Sequence, residues 1–173
     1  MSEEVKVINL DLGSGASPVC LYERKPGELY ILFDMSREAL KIAKQKIEKL
    51  EDKSIKVDYV LGRFNLLPFR DGSISHIEVR GITLESIYVE HESNRDIEEV
   101  ISERIAEIAR VLKPNGTVTM STVAGFVLKK LQELFAAHNI YFEKEESREK
   151  LVTDWEKKYD RGTHFLVWTL RKR

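Results

Sequence analysis

The chain has 173 residues, with 28 Lys plus Arg against 29 Asp plus Glu, a formal net charge of −1, 42% hydrophobic residues and 33% charged ones. That length is one ordinary domain with enough apolar residues for a core, and the balanced charge argues against a large, generally cationic nucleic-acid binder. One cysteine, Cys20, excludes an intramolecular disulfide and a cysteine-cluster metal site. No run of about 18 apolar residues spans a membrane, and MSEEVKVINL has no basic region leading into an apolar stretch, so a cytoplasmic domain is expected.

In chain order, Val5 to Leu10 is a short apolar run ending at Asp11 and a glycine turn, Gly13-Ser14-Gly15, and reads as a buried strand. Leu29 to Phe33 is a second, ending at Asp34. Ser36 is placed to cap a helix whose face carries Leu40, Ala43, Ile47 and Leu50. Ile55 to Leu61 and Ile74 to Val79 are the third and fourth strands. Beyond 81–95, Ile97, Ile101, Ile105, Ile108 and Leu112 make the cleanest helical stripe, with Ser93 or Asn94 as its cap and Pro114-Asn115-Gly116 as its stop. Thr117 to Val123 is a fifth strand. Val127, Leu131, Leu134 and His138 mark a further helix that Asn139 ends. Ile140 to Phe142 opens a sixth strand and Thr163 to Leu170 is the seventh, separated by a charged stretch, Lys144 to Tyr159, that reads as a loop or a solvated helix. Strands alternating with helices mean parallel pairing with helices on both faces, and the last strand has room to close the sheet antiparallel.

In such sheets ligands bind beyond the carboxyl ends of the strands, where strand order reverses. Gly13 and Gly15 let the backbone turn tightly there, Pro18 stands as the natural first residue of a helix, and Asp34 follows about twenty residues after the first glycine, where a carboxylate accepts hydrogen bonds from ribose hydroxyls. Turn and acid together imply a nucleoside-bearing ligand. The third glycine of the dinucleotide fingerprint is replaced by Pro18, which argues against a nicotinamide-dependent oxidoreductase, and no Gly-Lys-Ser/Thr triplet offers a phosphate-binding loop.

Read together, the segments resemble a class I S-adenosylmethionine-dependent methyltransferase. Val7-Ile-Asn-Leu-Asp-Leu-Gly-Ser-Gly15 is similar to the family's first motif and Ile31-Leu-Phe-Asp34-Met35-Ser36 to its second, whose acid binds the ribose. Gly62-Arg-Phe-Asn-Leu-Leu-Pro-Phe69 resembles the G-D-A-x-x-L-P-F segment that borders the adenine. Asp71-Gly-Ser-Ile-Ser-His-Ile77 resembles the D-x-S-F-D approach to the fourth strand. Ile105-Ala-Glu-Ile-Ala-Arg-Val-Leu-Lys-Pro-Asn-Gly116 is close to the E-I-x-R-V-L-K-P-G-G turn, and His164 to Lys172 looks like the closing strand. The resemblance implies a single α/β domain over 1–173, a doubly wound Rossmann-like sheet of seven strands, mostly parallel with one antiparallel strand near the C-terminus. It implies S-adenosylmethionine as cofactor, and the residues expected around it are Asp11, Gly13, Ser14, Gly15, Asp34, Met35, Arg63, Phe64 and Arg80. Asp11 would orient the ammonium, backbone donors of the glycine turn would hold the carboxylate, Met35 and Phe64 would sandwich the adenine, and Arg80 would meet the carboxylate or an anionic substrate.

The chain departs from the family in three places: Arg63 stands where an acid usually does, Ser17 replaces the third glycine of the first motif, and Leu84-Glu-Ser-Ile87 lacks the histidine of L-E-H-I. Guanidinium has only donors and cannot accept from an adenine amino group. The lid helices that usually precede the first strand are absent from this sequence, so a partner, a second copy or the segment 81–94 is expected to cover the cleft. Glu78, Arg80 and Glu85 surround the end of the fourth strand, where a general base would act, but no residue is assigned that role. His91 sits between Glu90 and Glu92 without a second histidine at ligand spacing, and reads as part of a solvated acidic face. His76, His138 and His164 read as packing or surface residues, and Cys20 as a core filler. Lys129, Lys130, Arg148 and Arg171 to Arg173 offer a basic patch for RNA, against the plainer reading of solvated element ends. The expected function is methyl transfer to an acceptor the sequence does not name: a small molecule, a protein or RNA. The alternative is a non-catalytic relative that acts through a partner protein.

Overall fold

The computed structural model describes residues 7–50, 54–79, 95–121, 128–148 and 165–173. Strand β1 (Ile8–Leu12) leads through a single 3-10 turn, Val19–Leu21, to β2 (Leu29–Asp34) and helix α1 (Arg37–Glu48). Strands β3 (Lys56–Leu61) and β4 (Ile74–Val79) follow, then α2 (Ile97–Val111), β5 (Leu112–Ser121), α3 (Leu128–Ala136), β6 (Ile140–Arg148) and β7 (Phe165–Lys172). All seven strands form one sheet, ordered β3-β2-β1-β4-β5-β7-β6. The β1–β2, β2–β3, β1–β4 and β4–β5 pairs are parallel, and β7 alone runs against both its neighbours. This is the expected architecture.

Side-chain alternation places the core. Leu10, Leu12, Ile77, Val79, Val118, Met120 and Leu170 turn to one face and pack on Ile101, Ile105 and Ile108 of α2 and Leu131 and Phe135 of α3. Tyr30 and Leu32 turn to the other face and meet Cys20 and Leu40 and Ala43 of α1. Helices thus lie on both faces, as a doubly wound sheet requires.

Several boundaries differ from the sequence reading. Strand β1 runs to Leu12, so Asp11 lies inside it rather than ending it; residues 1–6 lie outside the described residues. Pro18 does not open an α-helix: it precedes the short 3-10 turn with an extended ψ of 154°. Helix α2 is capped by Asp96, whose carboxylate accepts from Glu98 and Glu99 N–H; Ser93 and Asn94 lie outside the described residues. It stops at Val111, before Pro114-Asn115-Gly116. Leu112 is already extended and pairs with Ile74, and the ladder resumes at His76–Thr117 after an irregularity that holds Asn115 at φ 61°. Residues 144–148, read as loop or helix, continue β6 beside β7, because pairing with an established strand satisfies their backbone. Ser36 caps α1 as expected, accepting from Ala39 N–H at 3.1 Å. Helix α3 ends at Ala136, three residues before Asn139, which at φ 59° turns the chain into β6.

Candidate functional site

Strand order reverses between β1 and β4, which places a ligand crevice at the carboxyl end of β1. The glycine turn sits there with positive φ at Gly13 (75°) and Gly15 (57°), a conformation that disfavours a Cβ. Its backbone is tied to β2: Gly13 and Ser14 N–H both donate to Phe33 O, at 2.8 and 3.2 Å, and Gly15 N–H donates to Asp34 Oδ2 at 2.8 Å. The turn's first three N–H groups are therefore engaged within the protein, so a cofactor carboxylate would need donors beyond them.

Asp34 is buried, and Ser36 N–H donates to its Oδ1 at 2.8 Å. Each oxygen thus receives one backbone donor. A carboxylate offers about four lone-pair directions, so two remain for a pair of hydroxyls. Beside it, Ser14 Oγ is buried and meets no hydrogen-bond partner among the described residues. A fixed carboxylate and an unsatisfied hydroxyl fit a nucleoside-bearing cofactor at this turn.

The remaining expected residues divide. Asp11 is buried, and its Oδ2 accepts from Val19 N–H at 2.7 Å, anchoring the 3-10 turn. Met35 is 44% exposed at the crevice rim. Arg63 is exposed. Phe64 is not an open wall: its ring is 5% exposed, belongs to the core and lies 5.8 Å from the Arg104 guanidinium carbon. Arg80, Glu85, Glu90, His91, Glu92, the segment 81–94 and His164 lie outside the described residues.

Other features were not read from the sequence. Leu61, paired with Asp34 at the end of β3, is 47% exposed, and Leu66 in the loop that follows is 73% exposed, so with Met35 three large apolar side chains are exposed in the segments that follow β2 and β3. On the α1 face of the sheet, Asn9, His76 and Thr117 form one cross-strand row and Asp11, Glu78 and Thr119 the next, flooring a cleft of about 720 Å³. His76 is held there at 2.7 Å from Thr117 Oγ1 and 2.9 Å from Glu78 Oε1. The signal was present as strict alternation in Thr117-Val-Thr-Met120. Burial and, after it, the Asp11 charge push the Cys20 thiol up to about 12, which leaves it unreactive near neutral pH.

The basic side chains near the C-terminus are engaged internally. Lys172 Nζ donates to Ala109 O and Leu112 O at the end of α2, Arg171 pairs with Glu143, Arg173 lies over the Tyr141 ring and Lys130 pairs with Glu98. The side chains of Lys129 and Arg148 lie outside the description. Among the described residues, no helix is long and apolar enough to cross a membrane, and no group of three or more His, Cys, Asp or Glu could hold a metal ion.

A family model described as a methyltransferase domain matches residues 10–120. No curated protein matches the chain. Among solved structures, a SAM-dependent methyltransferase from Methanosarcina mazei is similar at 17% identity and a TM-score of 0.71, over 98% of this chain and 93% of that one. Magnesium protoporphyrin IX methyltransferase from Synechocystis, with SAM bound, is similar at 10% identity and a TM-score of 0.70, over 96% and 70%. A methyltransferase in complex with the Trm112 methyltransferase activator of Haloferax volcanii is similar at 17% identity and a TM-score of 0.65, over 99% and 84%. The structural likenesses show the fold, and the sequence model covers well over half of the chain. The chain belongs to the methyltransferase-domain family and has the fold of the SAM-dependent methyltransferases it resembles.

Proposed function

We propose that the chain binds S-adenosylmethionine at the glycine turn and transfers its methyl group to an acceptor entering above the ends of β1 and β4. The observation that carries this reading is the Asp34 carboxylate, held from both sides by Gly15 and Ser36 N–H at 2.8 Å with two acceptor directions left for ribose hydroxyls. Bound there, S-adenosylmethionine supplies a methyl group already activated by its sulfonium, so the protein's share of the work is positioning. Gly13 and Gly15 set the close approach, Ser14 Oγ, without a partner among the described residues, gains one, and Met35 covers the base from its exposed side. Asp11 fixes the turn through Val19 and orients the ammonium, Arg63 meets the acceptor, and Arg80, outside the described residues, is the candidate partner of an anionic acceptor or the cofactor's carboxylate. Phe64 contributes through the backbone of its loop, its ring being in the core. Calorimetry with S-adenosylhomocysteine and NAD tests this: micromolar binding of the first and none of the second is expected. Binding of NAD alone would move the chain to hydride chemistry.

A second reading is favoured by the exposed apolar side chains of Met35, Leu61 and Leu66: the chain works with a protein that covers them, as a methyltransferase subunit. The similar methyltransferase bound to Trm112 supports looking for such a partner. Methyl transfer by the isolated chain to any acceptor offered, with no gain on adding a partner, would set this second reading aside.

A further inference from the structure

The loop between β3 and β4 has no regular structure, yet four of its backbone polar groups are held by one helix. Glu107 Oε2 of α2 accepts from Leu67 N–H at 2.9 Å. Arg110 uses all five of its N–H donors: Nε to Glu107 Oε1, one terminal nitrogen to Phe69 O and Asp71 Oδ1, the other to Leu67 O and Glu107 Oε2, at 2.7 to 2.8 Å. Gly72 N–H closes the loop on Arg110 O at 2.9 Å. One turn earlier on α2, Arg104 lies over the Phe64 ring. Residues 104, 107 and 110 are three apart and share one face. An ion pair at the surface contributes little to stability by itself, and the Glu107–Arg110 pair is half-buried. Here the pair is spent on the backbone of Leu67 to Phe69, and the hydrogen bonds from Arg110 lower the Glu107 carboxyl from its ordinary value.

The clamped loop begins at Gly62, whose N–H donates to Asp34 O at 3.0 Å. A Cβ at Gly62 would lie 2.7 Å from the Phe33 ring, so the loop is also pressed onto β2 from below. A nucleoside whose ribose rests on Asp34 and whose base points toward β3 must lie along this loop. We infer that Glu107 and Arg110 are positioning residues for the cofactor's base: they hold the loop 63–71 at the height at which it meets the adenine, without touching the ligand. The inference rests on the cofactor site proposed above.

Two ligands separate this role from a merely structural one. S-adenosylhomocysteine carries base, ribose and amino acid, and S-ribosylhomocysteine lacks only the base. Affinities are measured by calorimetry at a temperature far below each protein's melting point. For Arg110→Lys, one ammonium cannot serve five acceptor atoms on three residues of the loop and Glu107. S-adenosylhomocysteine should bind about tenfold more weakly and S-ribosylhomocysteine as in the wild type, so the preference conferred by the base collapses. Glu107→Gln, which keeps an acceptor for Leu67 N–H and folds more readily, should shift the same ratio in the same direction by less. Asp34→Ala should weaken both ligands together. A folded Arg110→Lys or Glu107→Gln protein with a lowered melting temperature and an unchanged ratio overturns the inference, as does an equal loss for both ligands. A wild-type protein that binds neither overturns the site reading on which it rests.

Discussion

At Asp34, two backbone N–H groups hold one carboxylate in place before any ligand arrives. Replacing it with alanine removes the acceptor for two hydroxyls and leaves Gly15 and Ser36 N–H without theirs. We expect S-adenosylhomocysteine affinity to fall by roughly tenfold or more, about 1.5–3 kcal/mol, in a calorimetric titration. Unchanged affinity would place the nucleoside elsewhere. A second residue-scale effect concerns alkali. Burial first, then lesser local effects, pushes Cys20, Tyr30 and Tyr59 each up to about 12, from ordinary values of 9.0 for the thiol and 10.0 for the phenols. All three belong to or pack against the cluster under α1. The native state keeps protons that the unfolded chain releases, so this stability is fully present below pH 9 and is lost as pH rises toward 12. Melting temperature should therefore fall between pH 9 and 11. A flat profile over that range would show these groups to be in contact with water.

Elements are held at their ends by single side chains. Asp96 serves two N–H groups at the start of α2, and Asp96→Ala should cost about 1 kcal/mol, a drop of roughly 2–4 °C in melting temperature for a chain of this size. The cap was misplaced in the sequence reading by two or three residues, because Ser93, Asn94 and Asp96 are all competent caps and only the chain's path selects among them. Ser36 had no such competitor, and its position was legible. The stop of α2 shows the opposite effect. Pro114-Asn115-Gly116 is a strong terminator, yet the helix ends three residues sooner, because Leu112 is drawn into the ladder beside Ile74. The extension of β6 through Arg148 has the same origin: a charged stretch reads as solvated, but an edge strand tolerates charge on both faces when its partner supplies the backbone pairing.

Over the whole molecule, the far end of the chain is tied back to its middle. Lys172 on β7 donates to the last carbonyls of α2 at 2.6 and 2.9 Å, joining the antiparallel strand to the helix that carries the clamp. Lys172→Met keeps the apolar stem and removes the ammonium. We expect about 1–2 kcal/mol of destabilisation, read by thermal melting with S-adenosylhomocysteine affinity little changed. A melting temperature equal to wild type would show water serving those carbonyls equally well. By itself the sequence determined the parallel α/β order, the glycine turn, the acid at position 34 and the family resemblance, because these depend on local chemistry: apolar runs alternating with helical stripes, glycines where a turn needs positive φ, and an acid at a strand end. Tertiary structure alone decided that Phe64 turns into the core, that the N–H groups of Gly13 to Gly15 are used internally, that the central strands present a polar cleft on the α1 face, and that Glu107 and Arg110 clamp a loop some forty residues away. Those are pairings between distant segments, and the direction in which a side chain turns is settled by what packs against it, not by its neighbours in sequence.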